Sequence, residues 1–485
     1  MKNAVQIVLS LLCLIAGGLS GCTETSPSPG VSSEADQDVR FIGAEKIVSG
    51  SVPSIKIEGL SPRQSVQLIL VRMFERWEPN AQGEWAPVPV PMISWADMTA
   101  NANGGIDVSQ YPVMRGSWTG RDPFAIFWSG RRVSDAPPAP PCFDVMSMQP
   151  GENQLFLVRK NRIIGRHKLA FVEPEALQIK LVSEGRLNGV FAAPNDGRKY
   201  PSLILLHGSE GGGRDEAKRL AMRFANQGYA VFALNYFAWD MKNIPDIPNI
   251  HVNQPIELIA EVRDWMSTQE AADVSRLGLY GHSKGAEYAE VTAVRYDWVK
   301  AVAACVPTDI VWEGYGIGDE RAKQSPDYQP PEFVSSWSWQ GAPLPYVKLR
   351  PHVQGPDSPY FDNTDRYEMS RKDNPSAAEL AAIPVETSKA DFLLIGSKRD
   401  AVWASGAMAE RLAERMRTSG RSSDVELIVF EKAGHQICGD GTYPTHLWSV
   451  PSDDPRVKDL DAEGRAAAES WLAIIDFFDR KLSGD

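Results

Sequence analysis

The pentapeptide Gly281-His282-Ser283-Lys284-Gly285 lies directly between an apolar run, Leu277 to Tyr280, and a helix-forming one. A serine on a tight strand-to-helix turn projects its hydroxyl beyond the sheet edge, with small residues on either side because larger ones would collide with strand and helix. That hydroxyl is inert at neutral pH unless a base takes its proton and an acid orients the base. The chain order for such a set on a parallel sheet is serine, acid, histidine. Asp400 follows the apolar run Phe392 to Ile395 in Gly396-Ser397-Lys398-Arg399-Asp400, and His435 follows Glu426 to Phe430 in Ala433-Gly434-His435. Asp391 and Asp424 are weaker substitutes for the acid. His446, the other histidine beyond Asp400, follows no strand pattern.

A third element is the loop His207-Gly208-Ser209-Glu210-Gly211-Gly212-Gly213, between a buried run and a helical one. Its backbone N–H of Ser209 or Glu210, with that of Lys284, would receive the oxyanion of an acyl-transfer intermediate, each such donor contributing about 2.7–4 kcal/mol in the transition state. The glycines match neither GxGxxG nor GxxxxGK[ST], which argues against a phosphate cradle. His282 is expected to pack beneath the turn, and Lys284 to contribute only its backbone. Cys438, three residues beyond His435, reads as a loop thiol, with a second ligand or a redox switch as alternatives.

The elements that must position these groups divide at about residue 174. From 174 to 485, apolar strands alternate with amphipathic helices, the pattern of an α/β fold with a parallel sheet. Strands are expected over Ser202–Leu206, Ala230–Asn235, Leu277–Tyr280, Ala301–Val306, Phe392–Ile395 and Glu426–Phe430. Helices are expected over Glu216–Asn226, Pro255–Ser267 with Pro255 in the first turn, Ala286–Arg295, Ser405–Thr418 and Arg465–Lys481. In the last of these, Trp471, Ile474, Ile475 and Phe478 form one apolar face. Thr308 to Pro384 breaks the rhythm, is rich in Pro, Gly, Tyr and Trp, and is too long for an ordinary connection. It reads as an inserted cap over about 308–384, with a decorated surface loop as the alternative.

Residues 40–173 show short apolar stretches cut by Gly, Pro, Asn and Asp, which is most simply an antiparallel, Ig-like β-sandwich. The expected strands include Ser54–Ile57, Ser65–Val71, Phe124–Trp128, Leu155–Val158 and Arg166–Phe171. Ala136 to Pro141 is a loop.

At the start, Met1, Lys2 and Asn3 precede an apolar run from Ala4 to Gly18, too short to span a bilayer comfortably. With Leu19-Ser20-Gly21-Cys22 it resembles a bacterial lipoprotein signal. The resemblance implies removal of residues 1–21, lipidation of Cys22, a polar tether over 22–39, and a place in the cell envelope, the periplasmic face of the outer membrane being favoured over the inner membrane. Of the remaining cysteines, Cys142, Cys305 and Cys438 allow at most one internal disulfide. They form no CxxC pair and HExxH is absent, so no metal is expected.

The 485 residues carry 50 Lys plus Arg against 62 Asp plus Glu, a formal charge of -12. No excess cation is available for a phosphate backbone, so nucleic acid is not an expected partner. With 43% apolar and 23% charged residues the chain can bury more than one core. The pattern leaves the oligomeric state open.

Together these residues resemble the acyl-CoA thioesterases and bile acid-CoA:amino acid N-acyltransferases. The matching pieces are Gly116-Ser117-Trp118-Thr119-Gly120 with Asp122 to Trp128, the loop Gly208 to Gly213, Ala233-Leu234-Asn235-Tyr236-Phe237, the turn at Ser283, Gly396 to Asp400, and Gly434-His435. The resemblance implies a β-sandwich before an α/β-hydrolase domain and a Ser or Cys nucleophile with Asp and His, here Ser283, Asp400 and His435. It implies an acyl ester or thioester substrate and no cofactor. Serine at the nucleophile position favours water as acceptor, hence a hydrolase. Transfer to an amine or alcohol is the nearest alternative, and a non-catalytic envelope binding protein the more distant one.

Overall fold

The computed structural model describes residues 39–79, 84–135, 138–239, 244, 247–316, 334–350, 363–448 and 458–483. The expected signal, Cys22 and all but the last residue of the tether lie outside these residues, as do Tyr328 and Tyr360 of the expected cap. Among the described residues no helix is long and apolar enough to cross a membrane.

Eight strands form the sheet of the C-terminal part, in the order Leu177–Glu184, Leu187–Pro194, Ala230–Leu234, Tyr200–Leu206, Ala272–His282, Val299–Cys305, Asp391–Ser397 and Val425–Phe430. From Ala230–Leu234 onward all neighbours are parallel. These six are the strands expected from the apolar runs, whose unbroken hydrophobicity reflects cover on both faces. Leu203 and Leu205 enter one core and Ile204 and Leu206 the other, as the two-residue side-chain period requires. The antiparallel hairpin Leu177–Glu184 with Leu187–Pro194 is an addition to the expected strands. Its first strand is largely solvent-facing, so its apolar content is thin.

Helices Arg214–Ala225, Glu257–Ser267, Lys284–Ala293, Ser405–Thr418 and Leu460–Leu482 follow the expected order. Four of the five differ from expectation by up to five residues at an end, and one difference changes the element: Pro255 does not open a helix but pairs in a two-residue strand with Trp337–Trp339, where its carbonyl accepts the Tyr288 hydroxyl at 2.6 Å. The final helix is capped by Asp459, whose carboxylate accepts from Asp461 N and Ala462 N. It buries Trp471, Ile474, Phe477 and Phe478. Burying such side chains stabilises by about 1.5–3 kcal/mol each, more than helix propensity supplies. Ile475, expected in that face, is only half-buried and Phe477 takes its place.

The N-terminal part contains a six-stranded sheet, in the order Lys46–Val48, Arg162–Val172, Asn153–Arg159, Ser65–Pro79, Trp85–Thr99 and Arg131–Arg132, and a three-stranded one of Arg40–Ile42, Lys56–Glu58 and Ile106–Asp107. All pairings are antiparallel except that of Lys46–Val48 with Arg162–Val172. The long strand Trp85–Thr99 is not evident from sequence because Pro87, Pro89 and Pro91 interrupt it. They fall at every second position, opposite Trp77, Glu75 and Met73, so the N–H groups they lack are those on the side away from the partner strand. Phe124–Trp128 is not the expected strand. It is a single buried helical turn, Ala125–Trp128, held by Asp122, which accepts from Phe124 N and Trp128 Nε1 at 2.8 Å each.

One hydrophobic core runs through both parts, taking in Leu68, Leu155 and Trp128 together with Tyr280, Cys305 and Phe478. Polar contacts reinforce it. Arg72 donates to the Thr442 carbonyl at 2.6 Å, Arg132 to that of Leu447 at 2.6 Å, and Arg131 bonds the Asp461 carboxylate at 2.6 and 2.7 Å. The N-terminal sheet therefore grips the segment that follows His435.

Candidate active site

Ser283 follows directly on the strand Ala272–His282, at the C-terminal edge of the sheet, with φ 57° and ψ -119°. A positive φ is strained for a residue with a Cβ and persists only where the surroundings impose it. Here the Ser283 N–H donates to Cys305 O at 2.9 Å, and Ser283 O accepts from Ala286 N at 2.9 Å and Glu287 N at 3.2 Å, opening the helix Lys284–Ala293. A methyl group on Gly281 would overlap Gly285 O, and one on Gly285 would overlap the carbonyls of Leu206 and His207. Strand and helix approach this closely only with glycine at both places.

Asp400 and His435 meet beyond the ends of the last two strands of the sheet, Asp391–Ser397 and Val425–Phe430. His435 Nδ1 lies 2.9 and 2.8 Å from the two Asp400 carboxylate oxygens, and both residues are buried. Asp400 Oδ1 also accepts from Val402 N at 2.9 Å, and Thr364 Oγ1 donates to the Asp400 carbonyl at 2.8 Å. The carboxylate is thus fixed before it orients the imidazole. Asp391 and Asp424 are placed elsewhere: Asp391 pairs with Lys481 and Asp424 with Arg421, both away from His435.

His282 packs under the turn as expected, its ring 5.3 Å from that of His435 and its Nε2 3.4 Å from His435 O. Ser283 Oγ and His435 Nε2 make no hydrogen bond to each other in the free molecule. Such contacts commonly tighten only when substrate is present. Burial, and then the neighbouring His435 imidazole, hold the His282 pKa below its ordinary value. Below pH ~6.5, the ordinary histidine value, the unfolded chain binds a proton that the folded one resists. Stability contributed by neutral His282 is therefore intact above that pH and lost as pH falls toward the folded-state pKa. Urea midpoints measured from pH 7.5 to 5 should fall, and His282→Gln should flatten that fall.

The glycine loop sits beside the serine. A Cβ on Gly208 would lie 3.1 Å from Ser283 Cβ. The loop is braced by Tyr236, whose hydroxyl donates to His207 O at 2.7 Å, by Gly212 N donating to Phe237 O at 2.8 Å, and by Gly213 N donating to Asn235 Oδ1 at 3.1 Å. Among the described residues, no acceptor takes the N–H of Ser209 or Glu210, while the Glu210 carboxylate folds back to accept Gly208 N at 2.9 Å.

The Lys284 side chain does more than expected. Its ammonium is buried, 2.7 Å from Glu287 Oε2 and 2.9 Å from Ser336 Oγ, while Glu287 Oε1 accepts from Trp312 N at 3.1 Å and Trp337 Nε1 at 2.9 Å. Trp312, Ser336 and Trp337 are thus bolted to the helix that follows Ser283, a link that no local pattern could reveal. Desolvation lowers the Lys284 pKa and the Glu287 charge opposes that shift. Lys284→Met should cost about 3–5 kcal/mol by stranding the Glu287 charge, measured as a lower urea midpoint, with much of the loss recovered in the Lys284→Met, Glu287→Gln double variant.

Cys438 is not a free loop thiol: it is disulfide-bonded to Cys305. Cys142 lies outside this bond and is exposed. Among the described residues, no group of three or more His, Cys, Asp or Glu is placed to hold a metal ion.

A mostly parallel eight-stranded sheet flanked by helices, with a serine on a strained turn after a central strand and an Asp–His pair on the following strand ends, defines an α/β-hydrolase fold. Residues 255–484 match the family described as BAAT / Acyl-CoA thioester hydrolase C terminal. Over 451 residues the chain is 24% identical to acyl-coenzyme A thioesterase 5 of Mus musculus, covering 89% of this chain and 94% of the relative. It is also 24% identical over 403 residues to acyl-coenzyme A amino acid N-acyltransferase 1 of Mus musculus, covering 80% and 87%. Carboxyl esterase 2 from Tuber melanosporum aligns with a TM-score of 0.39 at 14% identity, covering 64% of this chain and 88% of that one. By this match over residues 255–484, and by similarity over most of its length, the chain resembles the acyl-CoA thioesterases and amino acid N-acyltransferases.

Proposed function

We propose that the protein is a serine hydrolase that cleaves an ester or thioester through an acyl-enzyme on Ser283. The observation that carries the reading is the buried Asp400–His435 hydrogen bond at the same sheet edge as the strained Ser283 turn. Asp400 holds the Nδ1 proton, leaving Nε2 to accept the proton of Ser283 as Oγ attacks the carbonyl carbon. The oxyanion rests on the backbone N–H groups of Ser209 or Glu210 and of Lys284. As the carbonyl re-forms, the bond to the leaving oxygen or sulfur breaks and His435 returns its proton to that atom. Water, deprotonated by the same imidazole, then attacks the acyl-Ser283 ester and releases the acid.

Similarity to relatives named as thioesterases supports the hydrolase class, and similarity to one named as an N-acyltransferase keeps transfer as the second reading. Products formed from a p-nitrophenyl ester with and without glycine or an alcohol should be free acid in both cases. An amide or new ester in the second would favour transfer. A folded protein that no fluorophosphonate labels would instead favour a binding module.

We further propose that Cys22 carries a lipid anchor at the cell envelope. The disulfide agrees with an oxidising compartment, since such bonds are rare in reduced cytosol. Cys22→Ala should move the protein from the membrane to the soluble fraction on cell fractionation, and retention in the membrane would contradict the anchor.

A further inference from the structure

The two groups that must cooperate in the proposed mechanism sit on segments that share few polar ties, and one covalent bond joins those segments. Cys305 ends the strand Val299–Cys305 and is fully buried. Its carbonyl accepts the N–H of Ser283 at 2.9 Å, so its backbone helps impose the strained conformation of the nucleophile. Val306 follows with φ 46°, unusual for a β-branched residue, and is fixed by its own N–H to Ile395 O at 2.7 Å and by Trp403 Nε1 donating to its carbonyl at 3.1 Å. The frame on this side is rigid.

The loop bearing His435 is held unequally. Before the histidine, Ser397 Oγ donates to Ala433 O and Gly434 N donates to Glu463 Oε2 at 3.1 Å. After it, between Gln436 and Gly439, the polar tie among the described residues is Tyr280 OH to Cys438 O at 3.3 Å. The covalent tie is the Cys305–Cys438 disulfide.

We propose that the Cys305–Cys438 disulfide is a positioning device for His435 and places the activity of Ser283 under thiol–disulfide control. This rests on the Ser283–His435–Asp400 reading. Oxidised, the bond locks the base loop to the strand end that anchors the nucleophile. Cys305 is fully buried and Cys438 only half-buried, so Cys438 is the sulfur we propose a reductant attacks. A dithiol attacks Cys438 Sγ as its thiolate, Cys305 leaves as thiolate and takes a proton, and the second thiol of the reductant displaces Cys438. The products are two protein thiols and the oxidised dithiol. With the tether cut, residues 436–439 keep the long Tyr280–Cys438 hydrogen bond and the buried Ile437 side chain, the next polar anchors lie further on at Asp440 and Thr442, and the imidazole spends less of its time facing Ser283.

The test uses the purified full chain and a fluorophosphonate probe, whose reaction with serine needs the base but no particular substrate. The oxidised protein is compared with protein treated with dithiothreitol until its thiol count rises by two, and with the same sample after re-oxidation. The expected result is at least a tenfold fall in the labelling rate constant on reduction, recovered on re-oxidation, with labelling still reaching full stoichiometry and an unchanged circular dichroism spectrum. Hydrolysis of p-nitrophenyl butyrate should lose kcat with KM held within twofold, a split that simple loss of folded protein would not produce at full stoichiometry. The Cys305→Ser, Cys438→Ser double variant should stay at the reduced rate whatever the redox state. If that variant does not fold, the reduction and re-oxidation of the unaltered chain decide alone. A labelling rate within twofold of the oxidised value, in the reduced chain or in the folded double variant, overturns the proposal. Absence of labelling in the oxidised protein would instead sink the nucleophile reading itself.

Discussion

Ser283→Ala should abolish covalent labelling and lower turnover of an ester by about 10⁴- to 10⁶-fold, while leaving the fold intact. The size of the effect follows from the role: without Oγ no acyl-enzyme forms, and what remains is the contribution of the N–H donors and of substrate binding. Alanine can occupy the same strained backbone at little added cost, because Ser283 already bears a Cβ at φ 57°. Its N–H bond to Cys305 O is also unaffected. Rate assays should therefore be paired with urea unfolding. Near-normal turnover by this variant would show that another nucleophile operates.

Asp400→Asn should be almost as damaging, about 10⁴-fold in kcat. Asp400 Oδ1 accepts from Val402 N at 2.9 Å and from Trp403 N at 3.4 Å. An asparagine would keep its oxygen on those donors and turn its NH₂ toward His435 Nδ1. The imidazole would then carry its proton on Nε2, the nitrogen that must accept one from Ser283. Single-turnover measurements at saturating ester would register this as slowed acylation with little change in substrate binding. A loss below tenfold would point to a different acid, although Asp391 and Asp424 are engaged elsewhere in ion pairs.

Much of the candidate site is legible in the order of residues alone. Ser283, Asp400 and His435 each directly or closely follow an apolar run, and the loop after a buried parallel strand is where a side chain reaches the sheet edge. The run Asn235, Tyr236 and Phe237 also stands out in the sequence, but its purpose as a brace on the glycine loop does not. Asn235 and Phe237 accept the N–H groups of Gly213 and Gly212, contacts across more than twenty residues that no local pattern encodes. The N-terminal part is less readable. Alternating prolines hide the long strand Trp85–Thr99, and the buried turn Ala125–Trp128 reads as a strand because five consecutive buried residues have no period to betray a helix of one turn.

Sequence by itself determined the succession of the six parallel strands and the five helices between and after them, and the types of group at the strand ends, because burial on both sheet faces imprints continuous apolar runs and helix packing imprints a 3.6-residue period. Tertiary structure alone decided which distant residues are partners: Cys305 with Cys438, Lys284 and Glu287 with the Ser336 hydroxyl and the Trp337 indole, and Arg72 with Thr442. Sulfur, ammonium and guanidinium groups leave no periodic trace of their partners, since a disulfide or a buried ion pair depends on where two backbones meet in space and not on the residues beside each in the chain.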